Sequence, residues 1–247
     1  MCATCGCSEP AAPVTFKAHR HDHDHEHGTT VRLEEGILSR NAAFAAENRA
    51  WLRERGILAL NLVSSPGSGK TTLLTRTIRE LAGRLPVSVI EGDQATSRDA
   101  DRVRAAGAAA LQINTGTACH LDAHGVGHAL GELKPPAGSC VVVENVGNLI
   151  CPAMFDLGES KRVLVASTTE GEDKPVKYPH MFRSADAIVL NKVDLLPHLE
   201  FDVERFGGFV REVNPRARIF PLSATRGDGL AEWVRWLLSL AAGGQPR

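Results

Sequence analysis

The sequence predicts an α/β fold, a mostly parallel sheet flanked by helices on both faces, behind an N-terminal tail that is disordered without metal. Three observations carry this expectation. From residue 57 onward, short apolar runs alternate with amphipathic segments of helical length, the pattern of repeated βαβ units. The runs are apolar throughout rather than at every second position, as strands buried on both faces require. Residues 1–30 are the opposite: small, polar, proline-containing and histidine-rich, with no hydrophobic period, so they bury too little surface to offset chain entropy.

Size and charge agree. A chain of 247 residues with 43% apolar content suits one domain, 31–247, plus a flexible Cys/His-rich appendage, 1–30. No internal repeat is visible. A formal net charge of −1 removes the electrostatic case for nucleic acid or an anionic membrane surface. No apolar run approaches a membrane span, and Met1–Cys7 lacks the basic start and apolar stretch of a signal peptide. The expected setting is cytoplasmic and reducing, where six cysteines read as metal ligands or catalytic groups sooner than as disulfides.

Taken in order, Leu38, Phe44, Trp51 and Leu52 space a helix over 36–55, stopped before Gly56. Strands follow near 57–63, 87–91, 110–113, 140–144, 162–167, 186–190 and 218–222. The first runs directly into a phosphate-binding loop, Leu60-Asn-Leu-Val-Ser-Ser-Pro-Gly-Ser-Gly-Lys-Thr-Thr72. Backbone around Ser65, Pro66, Gly67, Ser68 and Gly69 can surround phosphates where glycine removes the Cβ. Lys70 supplies a point charge to the β/γ-phosphates, and Thr71 offers a hydroxyl to Mg²⁺. Thr72 continues a helix to Leu81 whose N-terminal dipole favours the anion. One departure is Ser64, which stands where the pattern usually has its first glycine.

The base is read further along. Asp186–Asp194 is a buried-strand pattern ending in Asn191-Lys192-Val193-Asp194. The Asp194 carboxylate can accept from guanine N1–H and the exocyclic amine, donors that adenine lacks. Lys192 can lie over the base, and Asn191 can tie this loop to the phosphate loop. Alone the tetrapeptide is an ordinary turn; it gains weight downstream of a phosphate loop and ahead of Ser223-Ala224, which resembles the last base-contacting motif of GTPases.

Strand ends of an open parallel sheet converge on the ligand crevice. Asp93 and Glu144 stand at two such ends and are candidate Mg²⁺ ligands, with Lys70 and Asp93 the catalytic candidates and the Gly147 amide placed to follow the γ-phosphate. A solvated strand-end acid is the plainer reading for either acid alone. Where familiar GTPases have Asp-x-x-Gly-Gln, this chain has Glu144-Asn-Val-Gly-Asn148. Without a glutamine to orient water, slow hydrolysis is expected.

The remaining chemistry is thiol and imidazole. Cys2, Cys5 and Cys7 can converge on one soft or borderline ion, in a square-planar arrangement with nitrogen that suits Ni²⁺ or a tetrahedral one that suits Zn²⁺; a metal-free redox dithiol is the poorer alternative. His19, His21, His23, His25 and His27 alternate with charged residues, giving many weak nickel sites rather than a cloning tag. Inside the domain, Cys119, His120 and Cys151 each follow a strand end on the nucleotide side of the sheet. Cys140, inside a strand, reads as a small buried hydrophobe.

Together these motifs resemble the HypB family of nickel-incorporation GTPases from nickel–iron hydrogenase maturation, in the SIMIBI class of phosphate-loop proteins. The likeness runs over nearly the whole chain through Glu91-Gly-Asp93, Thr115-Gly-Thr-Ala-Cys-His-Leu-Asp-Ala123 and Glu144-Asn-Val-Gly-Asn-Leu-Ile-Cys-Pro-Ala153. It implies a GTPase that forms a GTP-dependent homodimer, binds nickel, and works with HypA on the hydrogenase large-subunit precursor. It also implies a high-affinity nickel site at Cys2, Cys5 and Cys7, and a Ni²⁺ or Zn²⁺ site at Cys119, His120 and Cys151. The histidine stretch is shorter than in storage-type members. Two alternatives stand beside it. The urease nickel-chaperone GTPases share the fold but carry a Cys-Pro-His site that does not match here. A metal buffer with a vestigial GTP site conflicts with intact Lys70, Thr71 and Asp194.

Overall fold

The structure is a computed structural model. It describes the backbone of residues 24–93, 98–116 and 119–243, and the side chains of 36–92, 99–116 and 119–243. The chain divides into two units, Met1–Gly36 and Ile37–Arg247, and the second holds the sheet. Cys2, Cys5, Cys7, His19, His21 and His23 lie outside the described residues.

After helix α1 (Asp24–Glu54), the order is β1 (Leu58–Ser64), α2 (Lys70–Leu81), β2 (Val87–Asp93), α3 (Arg98–Ala105), β3 (Ala109–Asn114), α4 (Ala123–Leu133) and β4 (Cys140–Glu144). The second half continues with β5 (Lys161–Ser167), short helices α5 (Lys174–Lys177) and α6 (Pro179–Ser184), β6 (Ala187–Asn191), α7 (Val203–Val213), β7 (Arg218–Pro221) and α8 (Leu230–Gly243). The strands form one seven-stranded sheet in the order β3-β2-β4-β1-β5-β6-β7. Every pairing is parallel. All seven expected strands are present within two residues of their expected limits. Pro221 ends β7 at a sheet edge, where a missing N–H costs no ladder bond.

The first helix starts earlier than its expected limit at Gly36: α1 opens at Asp24. No proline falls between Pro13 and Pro66. A helix already nucleated over the amphipathic stretch after Gly36 therefore extends backwards without a second nucleation cost.

Alternation along buried strands splits the core into two layers. Leu58, Leu60 and Leu62 of β1 meet Leu73, Leu74 and Ile78 of α2, Val103 of α3 and Trp233 of α8 on one face. On the other face, Ala59, Val141 and Val143 meet Leu52 of α1 and Val126 and Leu130 of α4. There Val63, Leu164 and Ile188 also meet Phe182 of α6 and Phe206 of α7. Trp233 is 1% exposed, and its indole N–H donates to Thr77 Oγ1 at 2.9 Å, so α8 is fixed to α2 by packing and a satisfied polar contact. Trp233→Ala should therefore lower stability by about 3–5 kcal/mol, read as a reduced urea midpoint with an unchanged denaturant slope. A loss below ~1 kcal/mol would show that α8 is not integral to the core.

Candidate functional site

β1 delivers the chain at Ser64 into the loop 65–69, and α2 starts at Lys70. Gly67 and Gly69 take φ values of 76° and 94°, a region that disfavours residues with a Cβ. A Cβ at Gly69 would also lie 2.5 Å from Asn191 Nδ2. Asn191, the last residue of β6, donates from that nitrogen to Ser68 O at 2.9 Å. Its Oδ1 accepts the Ala224 N–H at 3.0 Å. One buried amide thus joins the phosphate loop to the Asn-Lys-x-Asp and Ser223-Ala224 segments. Lys192, at φ 63°, donates from Nζ to Gly67 O at 2.8 Å. Asp194 follows, partly buried, on a 3-10 turn, Val193–His198. Ser223 is buried, and its Oγ accepts the Arg226 N–H.

Beside this loop a cleft of about 480 Å³ opens between Pro66–Thr72, Arg102 of α3 and Glu144–Gly147. Lys70 Nζ donates to Ser64 Oγ at 2.8 Å, so the serine in place of the usual first glycine serves as a rest for the lysine. Burial pulls the Lys70 ammonium below its ordinary pKa, against the opposing pull of Glu144 and Asp99. Glu144 Oε1 accepts from Thr71 Oγ1 at 2.7 Å, while its other oxygen is buried with no hydrogen-bond partner. Burial raises the Glu144 pKa, and Lys70 and Thr71 only partly counter it. An orphaned carboxylate oxygen beside a threonine hydroxyl is the hard oxygen donor set that a Mg²⁺ ion takes. Asp93 is the last residue of β2; its side chain lies outside the described residues. A Cβ at Gly147 would sit 3.1 Å from Pro66 Cα, a tight contact that would press this segment away from the phosphate loop by a few tenths of an ångström.

Cys119 and His120 occupy a bend between β3 and α4, and Cys151 opens a 3-10 turn, Cys151–Ala153, beyond β4. Their ligand atoms all lie within 4.8 Å of one another. Adjacent residues on a helix would point about 100° apart; here both precede α4, whose N-cap is Asp122. Gly116 takes a positive φ of 58°. The His120 ring centroid is 3.9 Å from that of Phe155, and burial lowers its pKa, favouring the neutral imidazole a metal needs. The Cys119 thiol is raised first by its hydrogen bond with Cys151 and then by burial. Cys140 is the structural exception: 1% exposed in β4, its thiol pushed up to about 12 by burial.

Two residues escaped the sequence reading. Asn145, 2% exposed, accepts through Oδ1 from Leu121 N–H at 3.1 Å and Val146 N–H at 3.0 Å. It thereby ties the Cys119–His120 segment to the Gly147 segment. Glu170, just past β5, is a second carboxyl raised by burial among Lys70, Lys174 and Lys192. The strand-end rule that singled out Glu144 also points to Glu170 when applied to β5.

Residues 58–221 match the family described as CobW/HypB/UreG, nucleotide-binding domain. The hydrogenase maturation factor HypB of Azotobacter vinelandii is 54% identical over 220 residues, 89% of this chain and 73% of that protein. The chain belongs to the HypB family. Among solved structures, HypB from Archaeoglobus fulgidus superposes with a TM-score of 0.77 at 41% identity, over 82% of this chain and 99% of that one. HypB from Helicobacter pylori, solved in complex with nickel, gives 0.77 at 36% identity over 84% and 98%. In this HypB-family chain, residues 58–221 are thus the nucleotide-binding domain, and they hold all seven strands of the parallel sheet. Among its described residues no helix is long and apolar enough to cross a membrane.

The buried Glu144 carboxyl yields a pH prediction. Its folded pKa lies above the ordinary 4.5, so the stability it contributes is complete below that value and is lost as pH rises through the folded pKa. Without nucleotide or metal, Glu144→Gln should therefore melt above the unaltered protein at pH 8, with the difference closing toward pH 4. Calorimetry across that range checks it; a gap that widens on acidification would show the opposite sign.

Proposed function

We propose that this chain is a GTP-hydrolysing nickel metallochaperone that helps insert nickel into the large subunit of a nickel–iron hydrogenase, its hold on metal coupled to the GTP/GDP state. One observation carries the reading: the Cys119–His120–Cys151 cluster and the segment beside the phosphate loop share a single buried anchor, Asn145. The printed names of the relatives, hydrogenase maturation factors, and the nickel complex of the Helicobacter pylori protein support the choice of cargo.

In this reading the loop amides from Gly67 to Lys70 hold the phosphates, and the buried Lys70 ammonium neutralises charge that develops on the β/γ-oxygens. Thr71, Glu144 and Asp93 would hold Mg²⁺, which would supply neutralisation of phosphate charge. Asp194 accepts from the guanine edge, Lys192 covers the base, and Asn191 keeps these parts in register. Water attacks the γ-phosphorus and GDP leaves with inorganic phosphate. Asn148 stands where a water-orienting glutamine is usual, so the step is slow. On losing the γ-phosphate, the Gly147 segment relaxes, and Asn145 transmits the shift to Leu121, next to the nickel ligands. Nickel enters as cargo on two deprotonated thiolates and a neutral imidazole, with Cys2, Cys5 and Cys7 forming a separate, tighter tail site and the tail histidines weaker ones. GTP draws two copies into a homodimer, and a HypA-like protein and the hydrogenase precursor complete the route in the cytoplasm.

Turnover measurements test the enzyme half. Lys70→Ala should cut kcat by at least about 10²-fold, and Asp194→Asn should erase most of the preference for GTP over ATP. Equal turnover of ATP and GTP by the unaltered chain contradicts the reading. Metal titrations test the cargo half. Removing residues 1–30 should abolish the tightest nickel binding and spare GTP hydrolysis, whereas Cys119→Ser or Cys151→Ser should abolish the weaker domain site and spare GTP binding. Loss of both metal sites on removing the tail alone would refute the two-site assignment.

A further inference from the structure

The two segments that carry Cys119, His120 and Cys151 meet a third element, α1, through two buried asparagines. Asn41 and Asn48, each 7% exposed, stand about two helical turns apart and so share one face of α1. Asn41 Oδ1 accepts the Ala123 N–H at 2.8 Å, and its Nδ2 donates to Asp156 O at 2.7 Å. Asn48 Nδ2 donates to Ala123 O at 2.7 Å and to Leu157 O at 3.0 Å. Each amide therefore spans the same gap, from the start of α4 just after His120 to the loop that follows Cys151. The backbone on both sides comes close to α1 there. A Cβ at Gly127 of α4 would lie 2.7 Å from Asn48 Oδ1, and one at Gly158 would lie 2.7 Å from Asn48 Cβ and 2.6 Å from Ala45 O. Phe155, next to Asp156 in this loop, carries the ring that lies 3.9 Å from that of His120.

We propose that Asn41 and Asn48 are positioning residues of the domain metal site: they set the separation of the His120 and Cys151 segments, so α1 fixes the geometry in which the cluster grips an ion. The inference rests on the reading of Cys119, His120 and Cys151 as metal ligands and does not need their coupling to GTP. Ligands from two loops hold one ion tightly only when the loops are already at the right distance; otherwise part of the binding free energy is spent on ordering them. Buried amides suit that task, because the Ala123 N–H left without Asn41 is an unsatisfied donor away from water. The Arg49–Asp156 ion pair joins the same two elements, but both side chains are more than a third exposed, and such a pair adds little. Arg162 of β5 donates to Ala153 O at 3.1 Å and Phe155 O at 2.8 Å from the sheet side. The loop therefore stays folded on the sheet when an α1 bond is removed, and what changes is its distance from Ala123. This link is separate from Asn145, which joins Leu121 to the Val146 side.

The test is a nickel titration of the full chain in which Cys2, Cys5 and Cys7 are replaced by Ser. The thiols left are Cys119, Cys140 and Cys151, and Cys140 is buried in β4, so thiolate-to-nickel charge-transfer absorption reports the domain site whatever the histidines bind. In this background Asn41→Ala and Asn48→Ala are compared with Asn214→Ala, which removes a buried amide bonded to Phe182 O and Ala185 O instead. Asn41→Asp keeps the acceptor for Ala123 N–H and loses the donor to Asp156 O, opening the bridge without a cavity; it decides the matter if an alanine variant does not fold. Circular dichroism and melting check each variant. Nickel affinity should fall at least about tenfold in the three Asn41 and Asn48 variants, and their charge-transfer bands at saturation should change. Asn214→Ala should leave affinity and bands in place despite its loss of stability, and GTP turnover without nickel should be unchanged throughout. Unaltered affinity and bands in Asn41→Asp and Asn48→Ala, or an equal loss in Asn214→Ala, would overturn the positioning role. Absence of any charge-transfer band in the parent chain would overturn the metal-site reading, and this inference with it.

Discussion

The parallel register between β1 and β4 is the constraint on which the rest depends. Leu62 pairs with Glu144, and the ladder continues one step further as Asn145 N–H donates to Leu62 O at 3.0 Å. That register sets Glu144 beside Thr71 at the start of α2, and it turns Asn145 inward while the chain leaves toward Gly147. A slip of one residue would reverse the two faces of β4. It would exchange the Glu144 carboxylate with Val143 and remove the anchor that Leu121 and Val146 share. The apolar side chains of β1 and β4, buried on both sheet faces, hold this register, so core packing and site geometry are one problem.

In the proposed coupling, one side chain, Asn145, joins the two segments. Its side chain also donates toward Asn61 Oδ1 at 3.4 Å, so a buried amide is satisfied on both ends, as a low-dielectric interior demands. Leaving the buried Leu121 amide without it would cost about 1–3 kcal/mol. Energies of that size are comparable to a typical coupling free energy between sites. The two segments therefore move together or forfeit a bond, and that link is what the proposed coupling of metal to nucleotide uses.

Much of this was legible in the chain. Seven apolar runs gave seven strands because strands covered on both faces have no polar alternation to confuse the pattern. The phosphate loop was visible because Gly67, Gly69, Lys70 and Thr71 each answer a local geometric need. Convergence of Cys119, His120 and Cys151 was readable only as placement at neighbouring strand ends; the distance depends on how β3 and β4 flank β2. Asn145 was invisible because an asparagine after a strand reads as an ordinary turn residue, and its worth lies in partners 24 positions back and one ahead. The backward extension of α1 was missed because a polar stretch with no apolar period reads as unstructured even where no residue forbids a helix.

The central claim is that nucleotide state and metal grip are linked through Asn145, and nickel affinity at the domain site addresses it most directly. Nickel isotherms of the chain lacking residues 1–30 would be recorded with a non-hydrolysable GTP analogue and with GDP, for the unaltered domain and for Asn145→Ala. The account predicts different affinities in the two nucleotide states for the unaltered domain, a reciprocal effect of nickel on nucleotide affinity, and collapse of the difference in the variant. Identical isotherms in the two states of the unaltered domain, or a difference that survives loss of the Asn145 side chain, would contradict it.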